Sequence, residues 1–122
     1  MKLHHCAFNI VVGSSQLVQG IFEHLGGKLV WEGKDQGREI AISIDGFVIQ
    51  ISEINDKPTR NKNKVETHIA FRSEDPVKEI YELKKWIEKK GVKVVVGKWK
   101  ESELWLDLPD IFINFVVEIF NN

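Results

Sequence analysis

Cysteine is almost missing from this chain. Cys6 is the only one in 122 residues, so no intramolecular disulfide can form, which fits a reducing cytosol. An excess of one charge is missing too. The formal net charge of −1 gives no basic surface for nucleic acid or an anionic membrane, and neither partner is expected. No apolar run approaches the roughly 18 residues that a membrane-spanning helix needs. The N-terminus enters strand-like sequence carrying His4 and His5 at once, unlike a signal peptide. A cytoplasmic protein is the expectation that survives. With 43% hydrophobic and 29% charged residues, the chain suits one compact domain.

What is present is a repeated order of elements. Leu3 to Val12 is rich in β-formers and reads as a strand. Gly13-Ser14-Ser15 breaks it and offers a hydroxyl helix cap. Leu17, Val18, Ile21, Phe22 and Leu25 recur at helical spacing, and Gly26-Gly27 ends that helix. Lys28 to Glu32, Arg38 to Ile44 and Phe47 to Glu53 read as strands, the last two joined by an Asp45-Gly46 hairpin turn. Asn55 to Glu66, with Lys57, Arg60, Lys62 and Lys64, reads as a solvated linker. The order then returns. Thr67 to Arg72 is a strand, and Ser73-Glu74-Asp75-Pro76 starts a helix with Val77, Ile80, Leu83 and Ile87 on one stripe. Gly91 ends it; Val92 to Val96, Glu103 to Leu108 and Phe112 to Phe120 are the remaining strands.

The match extends to individual residues. His5-Cys6-Ala7-Phe8 corresponds to His68-Ile69-Ala70-Phe71, and Gly27-Lys28-Leu29-Val30 to Gly91-Val92-Lys93-Val94. Glu39 corresponds to Glu103, and Gly46-Phe47-Val48-Ile49-Gln50-Ile51 to Asn114-Phe115-Val116-Val117-Glu118-Ile119. The fold class is therefore α+β, with two βαβββ modules: about 1–54, a linker 55–66, and about 67–122.

Successive strand side chains point to opposite faces. His5, Ala7 and Asn9 share one face; so do Val48, Gln50 and Ser52; so do His68, Ala70 and Arg72; so do Asn114, Val116 and Glu118. The bulkier apolar residues take the other face and should pack under the helices. The free faces should line a cleft holding His5, Gln50, His68 and Glu118. Two imidazoles and a carboxylate suit a divalent cation, and an amide oxygen can add a fourth ligand. A metal-free binding pocket is the competing reading. Glu39 and Glu103 fall on the cleft side and are candidate catalytic bases. Trp105 and Asn9 are candidate pocket walls, and Arg72 could hold an anionic group of a substrate. His4 and Cys6 fall by parity on the apolar side and read as structural. His24 reads as a surface residue near a helix end, and Trp31, Trp86 and Trp99 as packing residues.

This order and the two H-x-A-F strand starts resemble the vicinal oxygen chelate superfamily, which includes glyoxalase I, methylmalonyl-CoA epimerase, fosfomycin-resistance thiol transferases, extradiol dioxygenases and bleomycin-resistance proteins. The resemblance implies that the modules pair into a partly open, eight-stranded, barrel-like cleft. It places the metal ligands at His5, Gln50, His68 and Glu118. Glutamine at the strand-four position is as in methylmalonyl-CoA epimerase, where glyoxalase I has glutamate. The first helix has Gly20-Ile21 where the family commonly has F-Y. The implied function is a metal-dependent isomerase or lyase (nickel, cobalt, zinc, manganese or magnesium). It would chelate a substrate through neighbouring oxygens, stabilise an enolate-like intermediate, and use Glu118 as a ligand that also moves a proton. The alternatives are a thiol transferase of the fosfomycin-resistance kind, needing only His5, His68 and Glu118, and a metal-free drug-binding module. A homodimer is implied, with modules pairing within or between chains.

Overall fold

An open sheet must hide one face, and in each half of this chain a single long helix does so. The computed structural model describes residues 1–121. It divides into two compact units, Met1–Lys57 and Pro58–Asn122. The N-terminal unit runs β1 (Cys6–Val11), α1 (Ser15–His24), β2 (Lys28–Lys34), β3 (Arg38–Ile44) and β4 (Phe47–Ile54). The C-terminal unit runs α2 (Asn61–Lys64), β5 (His68–Arg72), α3 (Pro76–Glu88), β6 (Val95–Lys100), β7 (Glu103–Asp107) and β8 (Val116–Phe120). The strands make two separate four-stranded sheets, ordered β1-β4-β3-β2 and β5-β8-β7-β6, and no closed barrel forms among the described residues. In each sheet the first strand pairs parallel to the last, and the other pairings are antiparallel. The α+β class and the two βαβββ modules are as the sequence implies.

Helix α1 buries Val18, Ile21 and Phe22 over Ile40, Ile42 and Ile51, all with no exposed surface. Helix α3 buries Ile80, Leu83 and Ile87 over Leu104, Leu106, Val117 and Ile119. Each such side chain contributes about 1.5–3 kcal/mol by leaving water. The β3–β4 hairpin turns through Asp45 (φ 48°) and Gly46 (φ 79°), the positive pair that a two-residue turn requires.

The two helices start differently. Helix α3 is capped locally: Asp75 accepts from the Lys78 N–H at 3.2 Å, and Pro76 occupies the first helical position. The expected hydroxyl cap on α1 does not form, because Ser14 Oγ donates instead to the Val11 carbonyl at 2.6 Å. The cap comes from across the sheet. Glu53, 6% exposed, accepts from the Ser15 N–H at 2.8 Å through Oε2 and from the Arg38 N–H at 3.0 Å through Oε1.

Other expectations change as well. His4 and Cys6 are exposed rather than core residues, since β1 begins only at Cys6 and is an edge strand. The linker is not wholly solvated, because Lys64 is 2% exposed. Its Nζ lies 2.9 Å from Asp107 Oδ1 and donates to the Phe112 carbonyl at 2.5 Å. Strand β6 starts at Val95 rather than Val92 and runs to Lys100, because pairing with β7 sets its limits. Strand β8 starts at Val116 rather than Phe112: Pro109 to Ile111 turn, Phe112 makes an isolated bridge, and Ile113 and Asn114 bend. Trp31 and Trp99 are 50% and 45% exposed, so neither is a core packing residue. Phe47 is exposed despite lying on the apolar side by parity.

Burial alone would raise the pKa of Glu53. Hydrogen bonds from the Ser15 hydroxyl and N–H, and from the Arg38 and Gly13 N–H groups, outweigh it and hold the value below the ordinary 4.5. A lowered folded-state pKa stabilises the fold above the unfolded value and loses that contribution as pH falls through the folded one. Glu53→Gln is therefore expected to cost about 1–3 kcal/mol at neutral pH, with the gap narrowing below the ordinary carboxylate pKa. Urea unfolding of both proteins across that pH range checks this; a gap that stays constant would contradict it.

Candidate metal centre

Strand register sorts the polar residues into rows. In the N-terminal sheet, Ala7, Gln50, Ala41 and Trp31 lie side by side across β1, β4, β3 and β2. In the C-terminal sheet the corresponding row is Ala70, Glu118, Trp105 and Gly97. One step along, Asn9, Ser52, Glu39 and Gly33 form a row, matched by Arg72, Phe120, Glu103 and Lys100. Gln50 and Glu118 thus hold the same place in their sheets, and Glu39 and Glu103 stand one row away from them.

Within the C-terminal unit, His68 Nε2 and Glu118 Oε2 are 3.5 Å apart. The Glu118 side chain is 11% exposed and that of His68 31%. The other ring nitrogen of His68, Nδ1, lies 3.2 Å from the Val65 carbonyl. A carbonyl only accepts, so Nδ1 carries the proton and donates. In neutral His68 the Nε2 lone pair then faces a carboxylate oxygen. Two acceptors in that position need a proton or a cation between them. Two ligands each about 2.1 Å from one ion are about 3.0 Å apart at a right angle and about 3.4 Å apart at the tetrahedral angle, close to the spacing here. Histidine ligands of metals characteristically donate their second N–H to a carbonyl or carboxylate, as His68 does. The donor set and geometry fit a divalent ion.

Within the N-terminal unit, His5 and His4 approach Nδ1 to Nδ1 at 2.8 Å with their rings edge to face. This leaves Nε2 of His5 for another partner. The amide nitrogen of Gln50 points to Ser52 Oγ at 3.5 Å. Neither unit by itself gathers three His, Cys, Asp or Glu side chains around one point among the described residues. His24 is exposed in the last turn of α1.

Around Glu118, the Trp105 ring covers Gly97, where an added Cβ would sit 2.1 Å from Trp105 Cζ2. Arg72 extends over the Phe120 ring, its guanidinium carbon 5.6 Å from the centroid. Trp86 lies on α3 with Lys90 Nζ 4.5 Å from its ring centroid, away from this row.

Three polar features escape sequence reasoning. Glu53 belongs by parity with Ile49 and Ile51, so a lone carboxylate in an apolar row was its only signal. With Gly13, Ser15, Gln16, Gln19, Glu23 and Arg38 it lines an open polar pocket of about 550 Å³ on the helix side of the sheet. Arg38 spans this pocket, donating to Gln19 Oε1 at 2.7 Å and pairing with Glu32. Lys64 and its partner Asp107 gave no local signal at all.

By sequence, no protein-family model matches the chain and no curated protein does. Solved structures do. A genomically encoded fosfomycin resistance protein, FosX, from Listeria monocytogenes superposes with a TM-score of 0.64 at 18% identity, covering 99% of this chain and 90% of that one. FosX from Mesorhizobium loti gives 0.63 at 18% identity, over 99% and 92%. A putative glyoxalase family protein from Bacillus anthracis gives 0.59 at 18% identity, over 100% and 95%. The chain has the vicinal oxygen chelate fold. The Listeria FosX has been crystallised with Mn(II), both with sulfate and, as an E126Q mutant, with 1S,2S-dihydroxypropylphosphonic acid. No described helix of this chain is long and apolar enough to cross a membrane.

If Trp105 is held over Gly97 as a wall of the Glu118 row, Gly97→Ala should displace the indole and cost about 1–3 kcal/mol. In a Trp105→Ala background the same change should cost far less. A double-mutant cycle by denaturant unfolding checks the coupling, and additive costs would contradict it.

Proposed function

We propose that the chain is a divalent-metal-dependent enzyme of the glyoxalase or epimerase kind, an isomerase or lyase acting on a small substrate with neighbouring oxygens. The observation that carries this is the His68–Glu118 pair, an imidazole lone pair set against a carboxylate with the other ring nitrogen tied to a backbone carbonyl. In this reading His5 and Gln50 of the N-terminal unit complete the ligand set, within one chain or between two in a homodimer. The FosX structures holding Mn(II) support a metal on this fold.

A divalent ion bound there supplies a Lewis acid for developing negative charge on substrate oxygens. The rest falls to the chain's own residues. Val65 fixes the His68 tautomer so that Nε2 is the ligating atom. Glu118, largely withdrawn from water, would be a ligand of that ion and is the first candidate to move a proton. Glu103, one row from Glu118 and beside Phe120, is the second candidate base, and Glu39 holds the equivalent place in the other sheet. Arg72 lies on the opposite side of Phe120 and suits an anionic group of the substrate. Trp105, beside Glu118, and Asn9, in the Glu39 row of its own sheet, are the remaining candidates for substrate contact.

A second reading is a fosfomycin-resistance activity, favoured by the FosX neighbours. That reading needs His5, His68 and Glu118 but not Gln50. Titration with Mn(II), Ni(II), Co(II) and Zn(II), followed by thermal unfolding and calorimetry, tests both. An ion at about 100 times its Kd should stabilise the fold by about 2.7 kcal/mol, and His68→Ala should abolish the effect. Unchanged affinity in Gln50→Ala would favour the fosfomycin-type reading. No stabilisation by any of the four ions would sink both.

A further inference from the structure

The C-terminal unit buries a charge where none is needed for solubility or capping. Lys64 is on the four-residue helix α2, and its side chain is 1% exposed, against 0% for Asp107 on β7. Asp107 Oδ1 has no well-angled hydrogen bond; its contact with Lys64 Nζ at 2.9 Å is ionic. Asp107 Oδ2 accepts from Asn61 Nδ2 at 2.9 Å, and Lys64 Nζ also donates to the Phe112 carbonyl. Two residues of one short segment, Asn61 and Lys64, are thereby tied to the same carboxylate.

Desolvating an ammonium and a carboxylate costs several kcal/mol, and well-packed apolar residues of similar size often serve stability as well or better. Such a pair is better suited to fixing one geometry than to adding stability. The residue after Lys64 is Val65, whose carbonyl holds His68 Nδ1. The turn between them is closed by backbone bonds: the Val65 N–H donates to Asn61 O at 3.0 Å, and the Thr67 N–H to Lys64 O at 2.9 Å. The chain of contacts runs from Asp107 through Lys64 and the Val65 carbonyl to the His68 ring.

We infer that the buried Lys64–Asp107 pair is a positioning device for His68: it anchors the turn whose Val65 carbonyl keeps the imidazole in the Nδ1–H tautomer with Nε2 turned to Glu118. The tautomer statement stands on the metal-free protein. Its consequence for metal affinity rests on the function proposed above.

The test uses the full chain with Lys64→Met, and the double change Lys64→Met with Asp107→Leu, which leaves no buried charge unpaired and keeps a folded protein available if the single change unfolds. The ring ¹⁵N signals of His68, read without metal at a pH where imidazole is neutral, report the tautomer. The unchanged chain should show Nδ1–H. The double variant should match or exceed its thermal midpoint, yet lose that tautomer toward the mixture of a free imidazole. Mn(II) affinity should fall about 10- to 100-fold in the double variant, the usual effect of losing an outer partner of a ligand. Retention of the Nδ1–H tautomer in the folded double variant would overturn the inference. If the unchanged chain binds no ion, the metal reading fails while the tautomer comparison still decides this one.

Discussion

Everything in this molecule depends on one constraint: each four-stranded sheet must bury one face under a single helix. The alternation of strand side chains makes that possible, because it gathers Ile40, Ile42, Ile49 and Ile51 on one face and leaves Ala7, Gln50 and Ala41 on the other. A slip of one residue in β3 or β4 would send isoleucines into water and turn the residues between them toward the core. Hydrophobic burial therefore fixes the register, and the register alone places Glu118 between Ala70 and Trp105. The placement of Gln50 and Glu118 follows from core packing: Ala7 and Ala41 flank Gln50, and Ala70 and Trp105 flank Glu118, because register is set by what the helices bury.

The same constraint explains how the two units differ while keeping one plan. Glu53 reaches the start of α1 from the end of β4. The residue in the equivalent place after β8 is Asn121, and its side-chain nitrogen lies 3.5 Å from the Glu74 carbonyl, just ahead of α3. Both units thus tie a helix start to the end of the strand beneath it. In the C-terminal unit Asp75 already caps the helix, so a weak amide contact suffices. In the N-terminal unit Ser14 is turned away, so a carboxylate is needed, and it must be buried to reach.

The repeat, the element order and the matched rows could be read from the sequence because they follow from local periodicity and parity. His68, Glu118, Trp105 and Arg72 fall on the face that alternation assigns them. What could not be read is set by partners distant in sequence. Parity put His4 and Cys6 on the apolar side, but Cys6 opens an edge strand, His4 precedes it, and both are exposed. Lys64 looked like part of a charged, solvated run, and only Asp107, 43 positions away, draws it inside. Val92 and Val94 are strong β-formers, yet hydrogen bonding to β7 begins at Val95. Propensity proposes a strand, and the ladder decides where it starts.

Three carboxylates are buried among the described residues: Glu53, Asp107 and Glu118. Their surroundings separate structure from chemistry. Glu53 is held by several N–H and O–H donors and kept ionised. Asp107 is matched by an ammonium and an amide. Glu118 has neither arrangement; its ionic contact is an imidazole at 3.5 Å, and its side chain keeps a little contact with solvent. A carboxylate already saturated with donors has no reason to release them for a ligand, and one locked to a lysine cannot change its proton cheaply. Glu118 is the buried carboxylate that keeps some access to solvent and whose ionic contact is an imidazole rather than an ammonium. In the function proposed above, Glu118 is for that reason the carboxylate assigned to ligand and proton-transfer roles.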